Sequence, residues 1–295
     1  MAKLLIDFDK KGAEWVVVAY LTGDARMLQV VEEGWDPHLI TGCLISGAPE
    51  ELVKADHDLV GNNTDPDTIY EIRVKGVPDL IDGDYFIPRT MSIRQCGKKS
   101  NHGLNYDMKF RRFALELEIE EREAKIIVTS YRTDAYPGIP VWHKTTRELL
   151  NKDRTLVNCF ERKRVFMDAW GPELFDAAYS FIPQSTVFDI TRTAMVKIYQ
   201  EIPGMDLLAQ VHDSVLTQYD DSDLEEVAEV CGLIANDFMN PRMEYNSRSF
   251  QIKTDVKIGY KWGDENMKKV VISENKRETA VRISEALDSL NGKAA

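Results

Sequence analysis

Residues 94–106 read RQCGKKSNHGLNY, and the spacing inside that stretch decides how the rest of the chain is read. Arg94, Lys98, His102 and Tyr106 recur every fourth residue. On an α-helix that spacing predicts one slowly drifting stripe. The stripe carries two cations, then an imidazole, then a phenol. Cations one turn apart repel each other unless an anion lies between or above them. A guanidinium offers a planar fork and an ammonium a point charge, a combination suited to a polyphosphate. A ring one turn further on suits stacking against a base. Gly103, after His102, removes a side chain where something can approach closely. A lone R-x-x-x-K reads better as a solvated basic face, and H-G-x-x-Y in register with it shifts the balance toward anion binding.

Around this stretch lies a chain of 295 residues, long enough for two domains or one large one with a real core. Hydrophobic content of 43% and charged content of 29% are those of a globular protein. No apolar run approaches the roughly 20 residues needed to span a bilayer, and Asp7 and Asp9 interrupt the N-terminal apolar run, which excludes a signal peptide. Cys43, Cys96, Cys159 and Cys231 are far apart, with no C-x-x-C, which points to free thiols in a reducing cytoplasm and away from a structural zinc. The net charge of −12 argues against nucleic acid as a partner. Its distribution argues the other way. Arg94, Lys98, Lys99, Lys109, Arg111 and Arg112 face only Asp107 within residues 94–112, and Arg162, Lys163 and Arg164 form a second basic cluster. Acids gather in 50–84, 116–123 and 213–226.

LLIDFD (4–9) reads as a core strand ending in acid, and AEWVVVAYL (13–21), rich in β-branched residues, as a second strand. Thr22 and Asp24 carry helix-start chemistry. Residues 48–90, acidic and dotted with Pro66, Pro78, Pro88 and Asp82-Gly83, read as loops with short elements. Residues 91–134 have helical periodicity, Pro137 and Gly138 break it, and 141–150 resume it. LVNCF (156–160) suggests a strand of a small hairpin. Residues 173–201 read as a long helix interrupted near Pro183, DLLAQVHDSVLTQ (206–218) as a β-hairpin bent at His-Asp, and 224–239 as an amphipathic helix. FQIKTDVKIGYKW (250–262) alternates as a strand pair, and the polar tail from 266 reads as helical, serving either to dock a partner or to cap its own sheet.

The 94–106 motif resembles the fingers-helix pattern of family A DNA polymerases, R-x3-K-x3-F/Y-G-x2-Y-G, with His102 at the aromatic position and Asp107 at the last glycine. LIDFDKKGAEWVVVAYLTGD resembles that family's first catalytic motif, with Asp9 as the catalytic Asp and Glu14 as the residue that excludes a ribose 2′-hydroxyl; Val16 takes the place of an Arg. Asp7 lies on the same strand face, two residues before Asp9. QVHDSVL resembles the other catalytic motif, V-H-D-E, with Asp213 as the second carboxylate, His212 at the primer end and Ser214 in place of Glu. Further matches follow in the family's order: Asp36-Pro37-His38, Tyr136-Pro137-Gly138-Ile139, Arg162-Lys163-Arg164 after Glu161, Pro183-Gln184-Ser185-Thr186, and Gly259-Tyr260-Lys261-Trp262. Each alone is weak, and together, in order over residues 3–265, they are strong.

The resemblance implies an α+β fold, an antiparallel palm sheet with a mostly helical fingers subdomain and no thumb. It divides the chain into palm at 1–20, fingers at 21–172, palm again at 173–265 and a helical tail at 266–295. It implies template-directed DNA synthesis by two-metal nucleotidyl transfer, with Asp9 and Asp213 binding two Mg²⁺ ions. Arg94 and Lys98 would hold nucleotide phosphates, His102 would stack on the base, and Tyr106 would sit near the template base. Arg162, Lys163 and Arg164 would meet DNA phosphates, Gln184 would read the minor groove, and His212 would support the primer. The implied partners are primer–template DNA, dNTPs and a second polypeptide supplying the thumb, the remaining palm and an exonuclease, as in a split phage polymerase working in a bacterial cytoplasm, with no membrane. A non-catalytic DNA-binding replisome subunit is the alternative.

Overall fold

The computed structural model describes residues 3–291. The chain opens with β1 (Lys3–Lys10), α1 (Ala13–Thr22), α2 (Ala25–Glu32), α3 (Pro37–Ser46), α4 (Glu50–Val60), α5 (Pro66–Gly76) and α6 (Pro78–Asp82). It continues with α7 (Ile93–Leu104), α8 (Phe110–Leu117), α9 (Glu121–Ser130), a π-helical turn (Tyr131–Ala135), α10 (Gly138–Asp153), β2 (Thr155–Val157), β3 (Lys163–Val165) and α11 (Pro172–Glu201). Last come β4 (Asp206–Val211), β5 (Ser214–Asp220), α12 (Leu224–Leu233), a second π-helical turn (Ile234–Phe238), β6 (Met243–Tyr245), β7 (Arg248–Phe250), β8 (Thr254–Gly259), β9 (Lys268–Val270) and α13 (Lys276–Asn291). Among the described residues no helix is long and apolar enough to cross a membrane, and the four cysteines are unpaired thiols.

Two compact units divide the chain. The sheet unit takes the residues up to 14, then 158–162 and everything from 184 onward; the helical unit takes 15–157 and 163–183. In the sheet unit five antiparallel strands lie in the order β4-β5-β1-β8-β9, so β1 sits in the centre. Its side chains alternate strictly. Leu4, Ile6 and Phe8 are fully buried, while Asp7 and Asp9 turn to the opposite face. The buried face meets Val215 and Tyr219 of β5, Val256 and Ile258 of β8, and residues of α11, α12 and α13. One packed face and one open face is the usual economy of an antiparallel sheet. Ile283 and Leu287 of α13 enter this core, so the C-terminal helix caps its own sheet.

The helical unit corrects several expectations. Residues 13–21 form α1 and not a strand. Gly12, at φ 59°, turns the chain after β1. Val17, Val18 and Ala19 are then fully buried, so packing on several sides overrides β-branched propensity. Residues 48–90 are mostly helix. Pro66 and Pro78 stand in the first turns of α5 and α6, and Asp65 caps α5, so these residues start helices where they were read as breakers. α11 runs 30 residues through Pro183 without the expected interruption. Residues 250–262 are not a strand pair: β7 pairs with β6, and β8 joins the main sheet. Tyr106 lies beyond the end of α7, off its regular stripe.

α3 and α7 pack closely because both are small where they cross. A Cβ on Gly97 would stand 2.2 Å from the His38 carbonyl oxygen and 2.6 Å from the Gly42 nitrogen. The buried side of α7 carries a polar network: Thr41 Oγ1 lies 2.7 Å from the Tyr136 hydroxyl and 2.9 Å from Asn101 Oδ1, which is 2.9 Å from the Tyr131 hydroxyl. Every member is satisfied, which specifies how α7 is seated.

Candidate functional site

The open face of the sheet unit collects acid. β1 carries Asp7 opposite Lys257 of β8, and Asp9 opposite Asp255. On the other side Phe8 pairs with Val215 of β5, so the strand end bearing Asp9 lies beside the start of β5. The β4–β5 turn closes at the Val211–Ser214 pair, leaving His212 and Asp213 at the bend, with His212 at φ 53°. Two acids about two hundred residues apart in the chain thus come to the same end of adjacent strands.

Their charges interact. Burial, then the neighbouring carboxylates of Asp213 and Asp7, push the Asp9 carboxyl up to about 6. Burial also raises Asp213; a main-chain hydrogen bond opposes this and Glu14 adds to it. Burial raises Asp7, against the effect of the Ser214 hydroxyl, and its Oδ1 is buried without a protein hydrogen bond. The nearest cations are engaged elsewhere. Lys257 bonds Asp264 at 2.9 Å and Lys269 bonds Asp255 at 2.6 Å. Lys10, on the core face, donates to the Ile252 carbonyl at 2.7 Å and to Thr254 Oγ1 at 3.0 Å, and burial lowers it to about 7.

Such a donor set fits a hard divalent cation. Carboxylate oxygens that repel one another are relieved by a shared positive charge. Among the described residues no group of three or more His, Cys, Asp or Glu is arranged to hold a metal by itself.

The other sheet-unit residues are placed as follows. His212 is exposed on its turn and Gln184 is exposed on α11. The loop before β3 is clamped: Arg162 donates to both Asp189 oxygens, at 2.6 and 2.9 Å, and Asn158 Nδ2 donates to Asp189 at 2.9 Å and to Ser185 at 3.0 Å. The Arg162 guanidinium also lies 5.2 Å from the Phe188 ring centre. Arg162 is thus occupied in holding its loop. In the helical unit Lys163 and Arg164 are exposed on β3, with Arg164 over the Phe166 ring at 4.7 Å.

α7 presents the expected basic face. Ser92 caps it, accepting from the Gln95 N–H. Lys98, Lys99 and His102 are exposed and Arg94 is half-buried. A groove of about 350 Å³ beside the helix is lined by Gln95, Lys98, Lys99, His102, Gly103 and Met108, among others. The close approach expected at Gly103 is made by the chain's own Met108, whose Sδ would lie 2.8 Å from an added Cβ. Arg94 Nε donates to Asp36 Oδ2 at 2.7 Å. His38 packs its ring 5.9 Å from that of His102; its Nδ1 accepts from Asn101 Nδ2 at 3.1 Å, and burial lowers it to about 4, so it is neutral at physiological pH. Asp36 and His38 entered the sequence reading only as a motif match, and His57, beside Arg94, carried no signal because its segment read as loop.

A family model described as DNA polymerase family A matches residues 88–264. The thermostable DNA polymerase I of Thermus caldophilus is 27% identical over 232 residues, which is 76% of this chain and 23% of the relative. DNA polymerase I of Borreliella burgdorferi is 26% identical over 185 residues, 59% of this chain and 20% of its own. Among solved structures, the POL domain of Pol1 from M. smegmatis, in complex with DNA primer-template and dNTP, superposes with a TM-score of 0.62 at 21% identity, covering 87% of this chain and 39% of that one. The chain spans about a quarter of the length of the curated relatives it matches.

Proposed function

The chain belongs to DNA polymerase family A, and from that premise we propose that it extends a DNA primer on a template by nucleotidyl transfer from dNTPs. The observation that carries this reading is the meeting of Asp9 and Asp213 at one end of adjacent strands, where burial and then the Asp213 carboxylate push Asp9 up to about 6. Asp9 and Asp213 would hold two Mg²⁺ ions between their carboxylates. Bound there, the ions would supply Lewis acidity to the primer 3′-oxygen and to the leaving pyrophosphate.

The chain's own groups do the rest. Arg94 and Lys98 bind the triphosphate and offset the charge that grows on the leaving group. His102 stacks on the incoming base and Tyr106 lies at the template base. Glu14 excludes a ribose 2′-hydroxyl. Lys163 and Arg164 meet DNA phosphates, while Arg162 supports their hairpin through Asp189. Gln184 reads acceptors of the minor groove, and His212 steadies the primer end. Four free thiols fit work in a reducing cytoplasm.

Primer extension with Mg²⁺ and dNTPs tests the reading. The expected result is template-dependent extension by the wild type and a loss of at least about a hundredfold in Asp9→Asn and Asp213→Asn, the scale of losing a positioned electrostatic group. Equal extension by wild type and variants would refute the assignment, and DNA binding without extension by the wild type would favour a non-catalytic subunit.

A further inference from the structure

α4 touches the start of α7 with two consecutive residues. Asp56, fully buried, accepts from the Ile93 N–H at 2.7 Å and from Arg73 Nε at 2.7 Å. His57 Nδ1 lies 3.0 Å from Ser92 Oγ, the cap of α7, and His57 Nε2 lies 3.5 Å from Arg94 Nη1. From the other side Asp36 accepts from Arg94 Nε at 2.7 Å, while its Oδ1 caps α3 by accepting from the His38 and Leu39 N–H groups. Arg94 is therefore bracketed by two groups, each tied to the cap of a helix.

We propose that His57 is a positioning residue for Arg94: with Asp36 it holds the guanidinium so that its remaining N–H edge serves an anionic ligand. The inference rests on the reading of Arg94 as a triphosphate contact. A guanidinium only donates, so His57 Nε2 must be the acceptor. That assigns the ring proton to Nδ1, which donates to Ser92 Oγ. Asp36 alone fixes Nε and leaves the head group able to swing about that bond. A second contact at Nη1 removes the swing, and pre-organisation lowers the cost of binding.

Charges around the ring support a neutral His57. Burial lowers its pKa most and Arg94 lowers it further, against the opposing effects of Asp58, Asp36 and Asp56. His38 on α3, with Lys98 and His102 on α7, are further titratable groups of the same neighbourhood. A protonated His57 would lose its acceptor and repel the guanidinium.

A double-mutant cycle on the full chain tests this, with dATP and Mg²⁺ as the probe and its dissociation constant as the readout. His57→Phe should weaken dATP binding by about threefold to tenfold, the worth of one modest hydrogen bond to a charged group. His57→Gln, whose amide oxygen can accept from Arg94, should recover most of that. In an Arg94→Ala background His57→Phe should change nothing further. Binding by His57→Phe equal to wild type, or the same loss with and without Arg94, would overturn the proposal. If Arg94→Ala itself binds dATP as tightly as wild type, the triphosphate role of Arg94 fails, an outcome distinct from an intact Arg94 effect with a silent His57.

Discussion

Asp107 adopts φ 67°, a left-handed conformation that favours glycine. It stands where the family pattern has Gly, a residue that adopts this conformation freely. Its carboxylate repays part of the cost through Arg132 Nη2 at 2.9 Å and through Lys109. Asp107→Ala keeps a Cβ in that conformation and drops both ion pairs, and should destabilise the fold by about 1–2 kcal/mol. Asp107→Gly drops the pairs but relieves the backbone, and should fall between Ala and wild type in urea unfolding. A Gly variant less stable than the Ala variant would contradict this account. At this scale, spacing places Arg94 and Lys98 on one face of α7, as expected, while Asp9 and Asp213 were singled out only by the family resemblance. His57 and Asp56 were not legible, because their partners lie 17 to 37 residues away in the chain. Arg162 was legible as basic, but not as the partner of Asp189.

Among elements, β1, the amphipathic α12 and the β4–β5 hairpin read correctly, and buried α1 and the segments of α4–α6 did not. The β4–β5 hairpin is local, two strands joined by a two-residue turn, and its reading matches the structure. α1 misled because Val16, Val17 and Val18 look like a strand, and only its packing partners make it a helix. α4–α6 misled because prolines at their starts, at the cap of α4 and in the first turns of α5 and α6, resemble breaks. These three helices hold α7 in place. Arg73 of α5 donates to Asp56 and to the carbonyls of Pro88 and Met91, the loop leading into α7, at 2.6 and 2.8 Å. Both partners of this pair are buried, at 3% and 0% side-chain exposure, so removing one leaves an uncompensated charge. Asp56→Ala should cost about 3–5 kcal/mol. Hydrogen exchange should speed at the Ile93 amide and through the first turn of α7; unchanged exchange there would show that α4 and α5 do not anchor the helix.

For the whole molecule, the net charge of −12 hides an uneven distribution. α7 carries Arg94, Lys98 and Lys99 and no acid, while Asp7, Asp9 and Asp255 lie on the sheet unit. Overall charge says nothing of that division, but the order of motifs along the chain did. The α+β class with its antiparallel sheet was legible for the same reason. What could not be read was how strongly the acids at the end of β1 would act on one another, since that depends on burial and register.

That interaction makes the central claim measurable without any nucleotide. The Asp9 carboxyl titrates at about 6 in the folded chain, against an ordinary value of 3.8. Unfolding between those pH values therefore releases a proton, so the acidic pair lowers stability as pH rises through this window, and the full cost is present above it. After screening by solvent, that cost is about 1 kcal/mol, or about 2 °C in melting temperature. The most direct measurement is thermal unfolding of wild type, Asp9→Asn and Asp213→Asn, with and without Mg²⁺, at pH 7.5 and pH 4.5. The expected result is a Mg²⁺-dependent rise for the wild type at pH 7.5 that disappears at pH 4.5. In metal-free buffer at pH 7.5, both variants should melt slightly higher than the wild type and respond little to Mg²⁺. An equal Mg²⁺ response in wild type and both variants would contradict the assignment of Asp9 and Asp213 as the metal-holding pair.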